Sequence, residues 1–227
     1  QGGLEVLLVD HRDERARQLA REGIRVEGVR GALEARVAVT TDAASAGPAG
    51  LVLVCVKAYH TGEALAQHRA LVGEDTAVLS LQNGLGNLEA MEQVVPPDRL
   101  LGGSTTMGAN LLGTGHVHHA GEGDSFVGEP RGGISPRAER VAAILTRAGL
   151  ATRAHDNIQE IVWRKLMVNV GINALTAVLR VPNGALLEDE ASRALMHDAV
   201  CEGIRAAAAQ GVHLDEQAMQ HRGAEVA

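Results

Sequence analysis

The chain has few cysteines, few aromatics and almost no lysine, and each shortage excludes something. Its two cysteines, Cys55 and Cys201, stand too far apart in the 227 residues to suggest a disulfide framework or a zinc site, so a reducing, cytoplasmic setting is expected. With three aromatics (Tyr59, Phe126 and Trp163) and a net charge of −7, neither stacking platforms nor a basic face can be assembled, and nucleic acid is not an expected partner. The longest unbroken apolar run, Leu51 to Val56, is far below the ~20 residues that cross a bilayer, and no charged-then-apolar leader opens the sequence. No membrane association is expected. Among 21 Lys plus Arg, only Lys57 and Lys165 are lysine. Arginine keeps its proton in a protein and lysine can release it, so both lysines are candidates for proton chemistry or point-charge contact, with chance as the plainer alternative.

The remainder is ordinary for a folded chain: 45% apolar and 22% charged residues, at a length that suits one large domain or two small ones. Glu5–Asp10 reads as an apolar strand ending in an acid, followed by a charged helix over Asp13–Arg21. Ile24–Glu27 and Ala35–Thr40 alternate like exposed strands. Leu51–Val56 has the unbroken β-branched character of a strand buried on both faces of a parallel sheet, and a helix follows near Gly62–Leu71. Thr76–Leu81 repeats the theme, with Asn83-Gly84 turning into a helix at Leu85–Val94, and Leu100–Thr106 is a further strand. Gly115–Ala120 and Ser125–Gly128 read as short extra strands, and Ser135–Ala148 as a helix. This alternation predicts a parallel α/β sheet. Around Thr152–Asp156 the pattern gives way to helix, so the expected division is a dinucleotide-binding domain over 1–155 and an all-α domain over 156–227.

Sheets of this type normally open with a strand, a glycine-rich turn and a helix, and the acid ending the second strand lies ~20 residues beyond the glycines. Asp10 sits at that second-strand position with only nine residues before it. The first strand and the glycine-rich loop are therefore expected to be missing from the sequence. Asp10 leaves the cofactor open, because a carboxylate suits the ribose hydroxyls of NAD while Arg12 and Arg15 could pair with the 2′-phosphate of NADP. Alternatively, Asp10 merely ends a strand.

Asn157 and Glu160 make a capping-box-like start for a helix that can run to about Leu179, before Pro182-Asn183-Gly184. The helix is apolar almost all round, which implies burial between other elements, and its few polar residues then need a reason. At ~100° per residue, with Lys165 at 0°, Thr176 falls near 20°, Asn169 near 40° and Asn173 near 80°. Such a stripe is either an internal hydrogen-bond network or the wall of a polar ligand cleft. Unpaired amides in a core cost about 1–3 kcal/mol each, and no acid on the stripe neutralises the ammonium, so the cleft is favoured. A lysine among paired amides suits a ligand with a carboxylate and keto or hydroxyl oxygens.

The string Trp163-Arg164-Lys165-Leu166-x-Val168-Asn169-x-x-Ile172-Asn173-x-Leu175-Thr176-Ala177, closing with Pro182-Asn183-Gly184, resembles the ketopantoate reductases. Val56-Lys57-Ala58, Gln82-Asn83-Gly84-Leu85-Gly86, Gly103-Ser104-Thr105-Thr106 and His119-Ala120-Gly121 resemble further segments of that family. The resemblance covers essentially the whole chain, but the chain covers only part of a typical member, stopping before the family's late serine and glutamate. It implies reduction of 2-dehydropantoate to pantoate with NADPH in pantothenate and coenzyme A synthesis. It further implies Lys165 as proton donor, Asn169, Asn173 and Asn183 as contacts to the 2-oxo acid, and Lys57, Asn83 and Ala109 as contacts to the cofactor, alongside Asp10 and Arg12. Homodimer formation is compatible with it. The competing expectations are a reductase of another 2-oxo or β-hydroxy acid, and a non-catalytic paralogue or fragment kept for binding. His116 and His118 would share one strand face, but no third ligand is evident, so no metal is expected. The five methionines read as core fillers.

Overall fold

A computed structural model describes residues 3–220. Contacts divide the chain into two compact units, Gln1–Gln82 with Gly86–Asp156, and Asn83–Leu85 with Asn157–Ala227.

The first unit is α/β. In chain order it comprises β1 (Leu7–Val9), α1 (Asp13–Glu22), β2 (Ile24–Gly28), β3 (Leu33–Ala35), β4 (Ala38–Thr40), β5 (Leu51–Val54), α2 (Thr61–Gln67), β6 (Ala77–Ser80) and α3 (Asn87–Glu92). It continues with β7 (Leu100–Thr105), β8 (Gly108–Gly113), β9 (His116–Gly121), β10 (Ser125–Gly128), α4 (Pro136–Arg147) and β11 (Thr152–Ala154). The main sheet has the order β11-β10-β7-β6-β5. β5, β6 and β7 run parallel, whereas β10 is antiparallel to β7 and parallel to β11. A second sheet, β3-β2-β9-β8, and a parallel β1-β4 pair complete the unit.

Alternation along β6 and β7 builds the three layers. Leu79 and Leu101 point to one face, with Val127 and the α4 residues Ala138, Val141, Ala142 and Leu145. Val78 and Leu100 point to the other, with Leu65 from α2 and Met91 from α3. Ala77–Leu79 of β6 and Leu100–Leu101 of β7 are accordingly apolar on consecutive residues, as a doubly covered sheet requires, and polar residues enter only toward the carboxyl ends at Ser80, Ser104 and Thr105. The double burial expected for Leu51–Val56 is corrected by the structure: β5 is an edge strand, with Leu53 43% exposed and Val56 36%.

The second unit is helical: α5 (Ile158–Leu179), a short 3-10 segment (Asn183–Leu187) and α6 (Glu190–Ala209). Asn157 caps α5 by accepting from Glu160 N–H at 3.2 Å, and Asp189 caps α6 by accepting from Ser192 N–H at 2.7 Å. The two helices approach closely because Gly171 faces Val200 and Gly203 faces Met167, where an added Cβ would lie 3.1 Å and 2.7 Å from the opposing side chain. Trp163, Met167 and Val200 form one apolar cluster with Ala207 and Met219, and Val168, Ile172, Leu186 and Met196 form another. Burial of α5 is less complete than its composition implies. These clusters cover one flank, while Val178 is 80% exposed at the far end. Among the described residues, no helix is long and apolar enough to cross a membrane.

Candidate active site

In the α/β unit, Lys57 lies past the carboxyl end of β5, on the side of the sheet where open α/β folds place ligands. Gln82 organises this end. Its amide Nε2 donates to Val56 O at 2.5 Å and to Thr61 Oγ1 at 2.9 Å, and its Oε1 accepts from Ser80 Oγ at 2.8 Å. One side chain thus joins the end of β5, the start of α2 and the end of β6, and Thr61 is fully buried beneath it. Lys57 follows Val56 and is exposed, in extended backbone just before the turn Ala58–His60. Ala109 is exposed on β8, opposite His119 of β9.

Asp10 lies just beyond β1 and is 7% exposed. Both of its oxygens are engaged by Arg15, at 2.8 Å through Nη2 and by a second contact through Nε, and Arg12 N–H donates to Oδ1 at 2.9 Å. Burial acts to raise the carboxyl's pKa, but the Arg15 hydrogen bonds, the Arg12 N–H and the neighbouring positive charge together hold it below the ordinary value. Of the two arginines that could meet a phosphate, Arg15 is therefore committed to Asp10. Arg12, the residue before α1, is exposed.

In the helical unit, Lys165 Nζ donates to Asn83 Oδ1 at 2.6 Å. Burial on an apolar helix pushes the lysine's pKa below its ordinary value, because leaving water disfavours the charged form. Asn169 is half-buried and Asn173 exposed on the following turns, so neither amide is sealed in a core. Thr176 departs from the expected stripe. Its hydroxyl donates to Ile172 O at 3.0 Å and Asn173 O at 3.1 Å of its own helix, which satisfies it locally. Asn183 is exposed at the start of the 3-10 segment after Pro182. The structure thus brings Lys165 and Asn83 into direct contact, while Asn183 stands on a separate short element. Among the histidines considered for a metal, His116 pairs with Glu27 at 3.2 Å.

This arrangement is an ammonium drawn partly out of water, steadied by an amide oxygen and followed along its helix by two accessible carboxamides. Residues 1–132 match the family described as Ketopantoate reductase PanE/ApbA, and residues 157–227 match its C-terminal family. The chain belongs to the ketopantoate reductase family. It is 39% identical over 220 residues to the 2-dehydropantoate 2-reductase of Halobacterium salinarum, covering 96% of this chain and 72% of that protein. The Archaeoglobus fulgidus 2-dehydropantoate 2-reductase is 38% identical over 195 residues, covering 86% and 64%. The chain therefore spans about two thirds of these relatives' length. Among solved structures, the 2-dehydropantoate 2-reductase of Geobacter metallireducens superposes with a TM-score of 0.89 at 31% identity, covering 99% of this chain and 76% of that one. A D-mandelate dehydrogenase with NADH and anilino(oxo)acetate gives 0.92 at 27%, covering 99% and 73%.

The Gln82-Asn83-Gly84-Leu85-Gly86 motif gives Gln82 no role and does not single out Thr61, because the partners of Gln82 lie 21 and 26 residues away in the chain. Gln82→Ala strands the Thr61 hydroxyl and the Val56 carbonyl. Urea unfolding of this variant is expected to show a loss of about 1–3 kcal/mol, the cost of leaving the buried Thr61 hydroxyl unmet. An unchanged midpoint would mean that water replaces the amide without penalty.

Proposed function

We propose that this chain carries the acid-catalytic and substrate-holding parts of an NADPH-dependent 2-dehydropantoate 2-reductase. The observation that carries the reading is the Lys165 ammonium, partly desolvated and held on Asn83 at the head of the Asn169 and Asn173 row. A nicotinamide cofactor, when bound, supplies hydride to the C2 keto carbon. Lys165 Nζ gives a proton to the oxygen on which charge develops, so that the keto group becomes a hydroxyl, and regains it from solvent. A lowered pKa makes the ammonium a better donor. Asn169, Asn173 and Asn183 offer N–H donors to the carboxylate and oxygen acceptors to the hydroxyl of the 2-oxo acid. Lys57, Asn83 and Ala109 are proposed as cofactor contacts.

The residues around Asp10 fit NADPH. A carboxylate already bound on both oxygens by Arg15 is a poor acceptor for ribose hydroxyls, and the exposed Arg12 guanidinium at the start of α1 suits a 2′-phosphate. A second reading, a reductase of another 2-oxo acid using NADH, is favoured by the likeness to D-mandelate dehydrogenase. Steady-state kcat/KM with each cofactor on 2-dehydropantoate and on aryl 2-oxo acids separates the two. The expected order is NADPH above NADH and 2-dehydropantoate above the aryl acids; the reverse order would establish the second reading.

Lys165→Arg keeps the charge and removes a titratable donor, whereas Lys165→Ala removes both. Both variants are expected to lose at least ~100-fold in kcat, the usual contribution of a general acid, with cofactor affinity little changed. Near-normal kcat in Lys165→Arg would show that positive charge alone suffices and that the proton comes from elsewhere.

A further inference from the structure

Helix α6 presents a second cluster of chemistry-bearing side chains, drawn wholly from the helical unit. His197 and Cys201 are four residues apart, so one helical turn stacks them on the same side. Past the end of the helix, Glu216 reaches back to them. Cys201 Sγ lies 3.4 Å from Glu216 Oε1 and 3.9 Å from His197 Nε2, and His197 Nε2 lies 3.8 Å from Glu216 Oε1. Among the described residues, this is the grouping of His, Cys, Asp and Glu that offers three ligand atoms within 4.8 Å of one another.

We propose that His197, Cys201 and Glu216 form a structural binding site for a divalent transition metal of the zinc class. The spacing suits a tetrahedral ion. Bonds of ~2.3 Å to sulfur and ~2.0–2.1 Å to nitrogen or oxygen place ligand atoms about 3.4–3.6 Å apart, within a few tenths of an ångström of the three separations here. Thiolate, imidazole and carboxylate together select zinc-like ions over calcium or magnesium, which take oxygen ligands. The outer contacts agree. His197 Nδ1 lies 3.5 Å from Asp198 Oδ1, and Cys201 Sγ stands 3.8 Å from Nδ1 and 3.9 Å from Nε2, so a small ring rotation turns Nε2 to an ion and leaves Nδ1 on the carboxylate that commonly backs a metal-bound histidine. The Gln220 carboxamide stands over the same place, its Nε2 3.6 Å from Cys201 Sγ and donating to His197 O at 3.4 Å, and a water completes the fourth position. Thiolate and carboxylate balance the ion's two charges.

The alternative is a protonated Cys201 thiol that donates to Glu216, with His197 merely adjacent. A bound ion would displace that proton and tie the segment holding Glu216 and Gln220 to α6. Between these two residues, Met219 is 4% exposed in the Trp163, Met167 and Val200 cluster, so the ion would pin an apolar contact already formed. The site makes no use of the proposed catalytic residues, and its test does not depend on reductase activity.

Metal-free protein is titrated with Co2+ and followed by absorption spectroscopy, then challenged with Zn2+. One Co2+ per chain is expected to give the visible bands of tetrahedral cobalt and a near-ultraviolet thiolate-to-cobalt band, both erased by Zn2+. Cys201→Ser should abolish the thiolate band, and His197→Ala and Glu216→Gln should each weaken binding by more than ~10-fold, since losing even an outer partner costs ~10–100-fold. A wild-type titration with no thiolate band at one equivalent overturns the proposal, and does so even where a variant fails to fold. A band of equal affinity in His197→Ala and Glu216→Gln also overturns it, because Cys201 would then be binding cobalt as a lone surface thiol.

Discussion

The contact between Lys165 Nζ and Asn83 Oδ1 is the constraint on which the functional reading depends. A lysine placed on an apolar helix gives up part of its hydration, and its charged form survives only where a polar group receives it. Asn83 supplies an oxygen without supplying charge. An acid at that place would stabilise the ammonium and make it a reluctant donor, whereas the neutral amide orients the proton and leaves the effect of burial in force. In the proposed mechanism, proton donation by Lys165 therefore turns on a carboxamide in place of a carboxylate at one position.

The α/β unit solves a different problem, the precise presentation of loop residues at strand ends. Gln82 does this by replacing backbone pairing beyond the last strand residues, so that Val56 and, after it, Lys57 leave β5 in a fixed direction. Asp10 and Arg15 do the same at the end of β1, where the carboxylate is occupied within the chain. In both cases a polar side chain, half-buried at Gln82 and buried at Asp10, is engaged through both ends of its planar group, which favours rigid placement next to solvent.

Much of this was legible in the sequence, and the reasons are local. The α5 helix was readable from cap to end because Asn157 and Glu160 mark its start and Pro182 follows its close, and the structure has it over Ile158–Leu179. β6 and β7 were readable because each opens on consecutive apolar residues, Ala77–Leu79 and Leu100–Leu101, as strands covered on both faces do. β8 escaped because Gly108–Gly113 is exposed along most of its length and pairs with β9 through two irregularities, which erases alternation. β11 escaped because three residues give no period. Among site residues, the 3.6-residue repeat placed Lys165, Asn169 and Asn173 on one side of α5, but it could not foresee that Thr176 would bond its own backbone. The Gln82 contacts and the approach of Glu216 to Cys201 join distant parts of the chain and leave no local signature. By contrast, the one-turn spacing of His197 and Cys201 is local and legible in the sequence.

Because the chain has only two lysines, the state of Lys165 can be read directly. Protein labelled with 13C at lysine Cε gives two resonances, and loss of one in Lys165→Arg identifies it. Titrating that signal with pH measures the property on which the account rests. The predicted result is a midpoint below the ordinary lysine value of ~10.4, moving upward when Asn83 is replaced by Asp. A midpoint at or above the ordinary value in the wild-type protein would contradict the account, since Lys165 would then be a solvated cation with no special readiness to give up its proton.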